Sequence, residues 1–244
     1  MRDLDVAVVG GGLAGLAAAA FAGRDGLSVG VFERAAALGG RARTQDKDGF
    51  LFNQGPHALY RGGEALRALR DLGIPVSGGV PPLGGAYAIR AGRLHALPVG
   101  TYSLMTTGLL PLTQKLEAGR ALAGLGRRVA READSLSEGE WLRAELRSES
   151  VRELVAAFFR LSTYAHDPGR QSAGAALAQF QRGLEAGVLY LDGGWQSLVD
   201  GLQEAVLRSG VAISSHSGVL KLHARLGAAS SCASPTRRRS SRGA

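Results

Sequence analysis

The feature that most constrains the fold of this chain is an apolar stretch near the N-terminus that leads directly into a glycine-rich turn. Residues Val6–Val9 are followed by the spacing G-x-G-x-x-G at Gly10, Gly12 and Gly15. Four apolar residues in succession, without alternation, are typical of a buried parallel strand. A strand, a glycine turn and a helix in this order predict the first unit of a doubly wound α/β fold.

The elements around this turn complete a βαβ crossover. Leu13–Gly23 is rich in Ala and predicts a helix, and Ser28–Glu33 predicts a second apolar strand. In such a unit Gly10 permits a tight turn and Gly12 lets the backbone approach a pyrophosphate, while Gly15 allows the helix to pack against the strand. The arrangement therefore predicts a dinucleotide site.

The ends of the predicted helix and strand carry further residues expected to bind the dinucleotide. Leu13 and Ala14 open the helix, whose N-terminus would face the phosphates. Glu33 ends the second strand, where a carboxylate accepts hydrogen bonds from an adenosine ribose, and Arg34 adjoins it. A carboxylate would repel a 2′-phosphate, which argues against NADP. This fingerprint alone does not separate FAD from NAD.

A second glycine motif follows the second strand and favours FAD. It comprises Leu38–Thr44, with the sequence LGGRART, and resembles the GG-R-x-x-T signature of the flavoprotein superfamily of amine oxidases, protoporphyrinogen oxidases and phytoene desaturases. The resemblance implies that Gly39, Gly40 and Arg41 lie along the diphosphate and ribityl chain of FAD. The chemistry is consistent, since glycine backbone can pack on a cofactor and Arg binds phosphate bidentately.

The next segment, Gly49–Tyr60, is similar to the superfamily element whose glycine passes near the isoalloxazine ring. The resemblance implies that Gly55, Pro56 and His57 lie close to the flavin. His57 either contacts the ring system or is a hydrogen-bonded structural residue.

Two later segments continue the resemblance, which covers residues 4–222. The run 191–198 is similar to the GG-x-x-x-L turn at which superfamily chains re-enter the FAD domain. Val219 begins a predicted strand, Val219–Leu222, and the resemblance places it where the superfamily has a valine whose backbone contacts the adenine.

The remaining sequence predicts a helical insertion in the nucleotide-binding fold. A β-hairpin over residues 87–97 precedes a mostly helical block, in which Ser135 and Ser150 begin capping-box patterns. The expected class is α/β, a Rossmann-like FAD-binding domain interrupted by a mainly helical substrate domain. The expected bounds are 1–86 and 189–226 for the FAD-binding domain and 87–188 for the substrate domain.

The composition changes after Leu226. Residues 227–244 are largely Ser, Arg, Ala and Gly and predict a disordered tail. Superfamily members are longer, and their C-terminal portion returns to the FAD domain, so a C-terminally truncated form of the fold is expected. Four arginines of the tail carry half of the net charge of +8. The remaining excess is ordinary for a protein surface and argues against a nucleic-acid partner.

Other classes of site receive little support. Cys232 is the sole cysteine, which excludes an internal disulfide and favours a cytoplasmic protein. The other histidines lack metal-ligand spacing, so no metal is expected. The apolar stretch Leu16–Ala22 is too short to span a bilayer. Aromatic residues of the helical block form either a substrate pocket or core, and these are Phe158, Phe159, Tyr164 and Phe180.

The resemblance implies a FAD-dependent oxidoreductase that transfers a hydride from a C–H or C–N bond of an organic, apolar substrate to flavin. No residue is predicted as the catalytic acid or base. Two alternatives stay open, a catalytically inactive remnant of such an enzyme and an NAD-binding dehydrogenase. An apolar substrate would also favour peripheral association with a membrane, and the oligomeric state is left open.

Overall fold

The computed structural model describes residues 3–55, 58–82, 86–225 and 228–233. The chain forms two compact units, which we call the first unit (Met1–Leu59, Gly63–Gly79 and Leu189–Ala244) and the helical unit (Tyr60–Gly62 and Val80–Val188). The insertion expected from residue 87 thus begins at Val80.

Strands and helices are mixed in the first part of the chain, and a run of helices follows Ala96. In chain order the strands are β1 (Val6–Val9), β2 (Val29–Phe32), β3 (Thr44–Lys47), β4 (Phe50–Asn53), β5 (Leu59–Tyr60), β6 (Gly78–Gly79), β7 (Tyr87–Arg90), β8 (Arg93–Ala96), β9 (Val188–Leu191), β10 (Ala212–Ser214), β11 (Lys221–Arg225) and β12 (Ala228–Ala233). The helices are α1 (Leu13–Arg24), α2 (Glu64–Asp71), α3 (Thr101–Thr106), α4 (Leu112–Leu125), α5 (Glu138–Glu145), α6 (Glu149–Thr163), α7 (Ala173–Ala186) and α8 (Gln196–Arg208).

The first unit is built on a parallel sheet in which β2 lies between β1 and β10. Helix α1 packs against α8, and the two helices share one apolar core with the sheet. Leu16 of α1, Val31 of β2 and Val199 of α8 are fully buried in that core. Strand, glycine turn, helix and strand are therefore formed as the sequence predicts.

Strand β1 differs from the expectation of a fully buried strand. Its residues alternate between partly buried and exposed, and the side chain of Val9 is 53% exposed. The alternation arises because α1 packs on one face of β1, whereas Ala7 and Val9 stand on the other face. Within the described residues β1 pairs with β2 alone.

The end of the chain also differs from expectation. A strand was expected at Val219–Leu222 and disorder from Gly227, but β11 pairs antiparallel with β12, Leu222 opposite Cys232. The strand begins at Lys221, two residues later than expected. The prediction of disorder was wrong for residues 228–233, because a ladder of backbone hydrogen bonds does not require apolar periodicity. Residues 234–244 of the predicted tail lie outside the described residues.

The helical unit begins with the predicted hairpin of β7 and β8, whose turn residues Ala91 and Gly92 both have positive φ angles. Helices α4 to α7 then surround a second apolar core. No described helix is long and apolar enough to cross a membrane.

The predicted capping residues of this unit were wrong. Ser137, rather than Ser135, caps α5, and its hydroxyl accepts the amide of Glu140. Helix α6 begins before Ser150, and the side chain of Glu117 from α4 accepts the amides of Arg147 and Ser148 at its start. Capping patterns recur by chance in Ser- and Glu-rich sequence, so tertiary packing decides which one is used.

Candidate functional site

On one side of the first glycine turn, the chain packs so closely that there is no room for a side chain. A β-carbon on Gly15 would lie 2.0 Å from the carbonyl oxygen of Gly10, so only glycine lets α1 approach the turn this closely. Gly10 itself has a φ of +102°, which favours glycine. A β-carbon on Gly11 would lie 2.4 Å from Cδ2 of Leu38. Gly11 therefore has a packing role that the motif reading missed, although three consecutive glycines were a signal.

The other side of the turn is open. A β-carbon on Gly10 would meet nothing within 4 Å, and one on Gly12 would meet only the carbonyl oxygen of Gly39, at 4.0 Å. Leu13 begins α1, and the amides of Ala14 and Gly15 in its first turn donate to no acceptor within the part of the chain that the structure describes. Open space beside free amides at a helix N-terminus fits an anionic group.

The second glycine motif lies directly against the first. The amide of Gly39 donates to the carbonyl oxygen of Gly11 at 2.7 Å, and Gly12 and Gly39 form a parallel bridge. Gly40 follows with a φ of +53°, and its nearest neighbour at the β-carbon position is the Cα of Gly12, at 3.9 Å. The structure thus brings together the two motifs that the sequence identified separately.

Arg41 follows in a short 3₁₀ turn and is exposed. Its guanidinium forms no hydrogen bond or ion pair with any described residue, which leaves its donors available to a phosphate. Gly55 packs on the same residue, because a β-carbon on Gly55 would lie 2.5 Å from the carbonyl oxygen of Arg41. Pro56 and His57 lie outside the described residues, so their place near the flavin stays a prediction.

Glu33 joins the turn to the end of β2. Its Oε2 accepts the amide of Gly11 and its Oε1 accepts the amide of Ala35, both at 2.8 Å. These bonds, first that from Ala35, lower the pKa of the carboxyl, and the positive charge of Arg34 lowers it further. Glu33 is therefore a fixed carboxylate, and each oxygen retains a lone pair for a ribose hydroxyl.

The segment after β10 runs beside Glu33. The amide of Ser217 donates to the carbonyl oxygen of Glu33 at 2.7 Å, and that of His216 donates to Ala35 at 3.1 Å. Val219 follows in an irregular, half-buried stretch rather than in the strand that was expected. The exposed Arg34 borders it, since a β-carbon on Gly218 would lie 3.4 Å from the Cβ of Arg34.

The N-terminus of helix α8, unlike that of α1, is capped by side chains of the protein itself. The amide of Trp195 donates to Oδ1 of Asn53 at 3.1 Å, and the amide of Gln196 donates to the hydroxyl of Thr44 at 3.0 Å. A β-carbon on Gly194 would lie 2.5 Å from that hydroxyl oxygen. Sequence reasoning missed the role of Asn53, since it acts across 142 positions of sequence.

These features fit the adenosine diphosphate part of FAD. Such a ligand requires open space at glycine positions, free first-turn amides, an available arginine and a fixed carboxylate, and all four are present among the described residues. Gly12, Ala14, Gly15 and Arg41 would hold the diphosphate, and Glu33 the ribose.

The helical unit contains a cavity of about 700 Å³ with mainly apolar walls. Phe158 and Tyr164 line it, whereas Phe159 is fully buried in the core and Phe180 packs against both phenylalanine rings. At one wall Arg90 donates to the carbonyl oxygen of Leu109 at 2.7 Å. In the part of the chain that the structure describes, no cluster of His, Cys, Asp or Glu could hold a metal ion.

Comparison with known proteins identifies the lineage. Residues 13–234 match the family described as flavin containing amine oxidoreductase. A chloroplastic protoporphyrinogen oxidase of Nicotiana tabacum is 26% identical over 199 residues, which are 80% of this chain and 35% of the relative. A coproporphyrinogen III oxidase of Propionibacterium freudenreichii is 32% identical over 160 residues, 61% of this chain and 29% of the relative.

The fold agrees with this assignment. A solved structure of putrescine oxidase superposes with a TM-score of 0.71 at 23% identity, over 95% of this chain and 54% of that one. The chain thus spans about a third of the length of these curated relatives and about half of this solved structure. Because the family match extends over most of the chain and includes the second glycine motif, the chain belongs to the flavin-containing amine oxidoreductase family.

Proposed function

We propose that the chain binds FAD as part of an oxidoreductase that removes a hydride from a C–H or C–N bond of an apolar organic molecule. The observation that carries the proposal is the contact between the two glycine loops, followed by first-turn amides of α1 and by Arg41, none of which has a partner among the described residues. When bound, the flavin supplies the hydride acceptor, and the protein supplies binding and orientation.

Different residues of the first unit bind different parts of FAD. Ala14 and Gly15 donate amide hydrogen bonds to phosphate oxygens, and the positive end of the α1 dipole adds a favourable field. Arg41 neutralises phosphate charge from the second loop. Glu33 accepts a ribose hydroxyl. The second loop supports FAD over the NAD alternative, because a dinucleotide fingerprint without it would serve either cofactor.

The substrate is proposed to be apolar because of the cavity in the helical unit. Its walls include Tyr87, Ile89 and Leu161, three large side chains that are mostly exposed. The relatives named protoporphyrinogen oxidase and coproporphyrinogen III oxidase act on large organic rings according to their names. A large apolar substrate is therefore a better match to this chain than a small amine.

An apolar substrate would be drawn from a membrane surface, and the helical unit has side chains suited to one. Tyr102 is 83% exposed and Leu112 is 74% exposed, and Leu116 and Arg120 lie on the same face of α4 as Leu112. Apolar and basic side chains together favour anionic lipid. Cosedimentation with anionic and with zwitterionic vesicles tests this, and the proposal is refuted if the chain binds neither kind of vesicle.

The decisive experiment for the main proposal is titration of the purified chain with FAD and, separately, with NADH. We expect saturable quenching of FAD fluorescence, a bound flavin absorbance that dithionite bleaches without oxygen, and no comparable binding of NADH. Tight NADH binding without FAD uptake would establish the dehydrogenase alternative instead. Reduction of bound FAD by an apolar substrate without a chemical reductant separates an active enzyme from an inactive flavin-binding protein.

A further inference from the structure

The second glycine loop is attached to helix α8 at both of its ends. At the N-terminal end, a β-carbon on Gly39 would lie 2.9 Å from Cγ2 of Val199, so the backbone there rests on α8. At the C-terminal end, the hydroxyl of Thr44 accepts the amide of Gln196. Arg41 lies between these attachments and has no described partner of its own, so its position depends on them.

Thr44 carries the attachment through two hydrogen bonds made by one oxygen. Its hydroxyl donates to Oδ1 of Asn53 at 2.8 Å and accepts the amide of Gln196 at 3.0 Å. Asn53 is the cross-strand partner of Thr44 in the β3–β4 hairpin, and its Oδ1 also accepts the amide of Trp195. The two side chains thus satisfy consecutive amides at the start of α8.

The geometry leaves little freedom around this network. A β-carbon on Gly194 would lie within 2.8 Å of both the Thr44 hydroxyl oxygen and Asn53 Oδ1, so the turn before α8 packs directly on the pair. Thr44 and Trp195 are themselves mostly buried, and a lost hydrogen bond there leaves a backbone amide without a partner. The network is therefore a rigid support rather than a surface contact.

We propose that Thr44 and Asn53 are positioning residues that act through the second glycine loop and set the place of Arg41 for the cofactor diphosphate. This inference rests on the proposed binding of FAD. It assigns to Thr44 no contact with the cofactor, since the hydroxyl already uses its hydrogen and one lone pair within the protein.

A double-mutant cycle between Thr44→Val and Arg41→Ala tests the proposal through FAD affinity. We expect T44V alone to raise the Kd for FAD about tenfold, and to raise it less than about twofold when Arg41 is already Ala. Equal effects of T44V in the two backgrounds would overturn the proposal, because general damage to the fold adds to the loss of Arg41.

Two further variants remove the remaining ambiguity. Thr44→Ser keeps the hydroxyl and is expected to bind FAD within about twofold of the unmodified chain. Thr163→Val is the matched control, because the Thr163 hydroxyl in the helical unit likewise donates one hydrogen bond, to the carbonyl oxygen of Phe159, and accepts one backbone amide, that of Ala165. It is expected to leave FAD affinity unchanged. If T44S behaves like T44V, the hydroxyl is not the attachment.

Amide hydrogen exchange without added FAD separates failure of this inference from failure of the proposed function. In T44V, exchange at Trp195, Gln196 and the turn Gly40–Ala42 is expected to speed up about tenfold or more, while exchange in α1 stays unchanged. Unaltered exchange in the turn would overturn the inference whether or not FAD binds. Should T44V fail to fold, Asn53→Ser carries the same measurements from the opposite strand.

Discussion

A β-carbon on Gly15 would lie 2.0 Å from the carbonyl oxygen of Gly10, whereas one on Gly12 would have only the carbonyl oxygen of Gly39 near it, at 4.0 Å. Two glycines of one motif therefore differ in what they do. Gly15 is required by the folded chain, and Gly12 leaves room that a ligand would use.

Alanine substitutions separate these two roles. Gly15→Ala is expected to lower the free energy of unfolding by about 3 kcal/mol, because backbone rather than a flexible side chain must move. Gly12→Ala, with its φ of −79° in the ordinary region, is expected to cost no more than about 1 kcal/mol and yet weaken FAD binding about tenfold or more. Urea unfolding and FAD titration of both variants give the answer, and a G12A protein that binds FAD normally contradicts it.

Arg41 should matter for binding and not for folding. Its guanidinium has no partner among the described residues, so Arg41→Ala is expected to leave the unfolding free energy within about 0.5 kcal/mol of the original. The Kd for FAD is expected to rise about 10- to 100-fold, the range for loss of a charged hydrogen bond to phosphate. Arg70→Ala, at an exposed position of α2, is the control, and a similar loss of affinity there would count against a specific role.

Glu33 should make the first unit sensitive to acid. Its pKa is lowered in the fold, so its carboxylate stabilises the protein at pH values above the ordinary value of 4.5, and that contribution is lost as pH falls through the lowered pKa. Glu33→Gln is therefore expected to be less stable than the original at pH 7 and to approach it in acid. Unfolding curves at several pH values test this, and a stability difference independent of pH would refute it.

Glu138 should make stability depend on pH in the opposite direction from Glu33. It is 4% exposed, and burial raises its pKa despite the charges of His166 and Arg160 nearby. Since the folded state holds the proton more tightly, stability falls as pH rises from the ordinary pKa through the raised one. Glu138→Gln is expected to be more stable than the original at pH 7 and equal to it near pH 4. If the variant and the original have the same thermal midpoint at pH 7 as well as near pH 4, burial does not control the pKa of this carboxyl.

Capping by Glu117 provides a test within the helical unit. Its carboxylate accepts the amides of Arg147 and Ser148 and the Ser148 hydroxyl, and the last of these bonds is the main cause of its lowered pKa. Glu117→Ala is expected to destabilise the protein by about 1 kcal/mol, as for loss of a helix cap. Glu140→Ala, which removes the carboxylate that accepts the amide of Ser137 at the start of α5, is the matched comparison, and thermal unfolding is the measurement.

The structural features that could be predicted from the sequence are those that depend on local residue spacing. The glycine turn at Gly10, the carboxylate at Glu33 and the hairpin turn at Ala91 follow from a few adjacent residues, whose backbone conformations are fixed largely by their own chemistry. The resemblance implied that Gly39, Gly40 and Arg41 lie along one cofactor, but nothing in the sequence alone specified the bridge between Gly12 and Gly39.

What could not be predicted depends on contacts between distant residues. Asn53 is unremarkable in sequence, and only folding brings it to the amide of Trp195. Ser135 has the spacing of a capping residue, but the packed helix starts after Ser137. Val9 belongs to an apolar run that predicts burial, yet burial requires a second layer on its face of the sheet.

The position of β1 has a practical consequence for handling the protein. Within the described residues β1 has a strand on one side only, so its other edge offers unpaired amides and carbonyl groups beside the exposed apolar side chain of Val9. Such an edge can add an extended segment from another molecule. We therefore expect concentrated solutions of this chain to associate by strand addition, and we expect Val9→Lys to reduce that association.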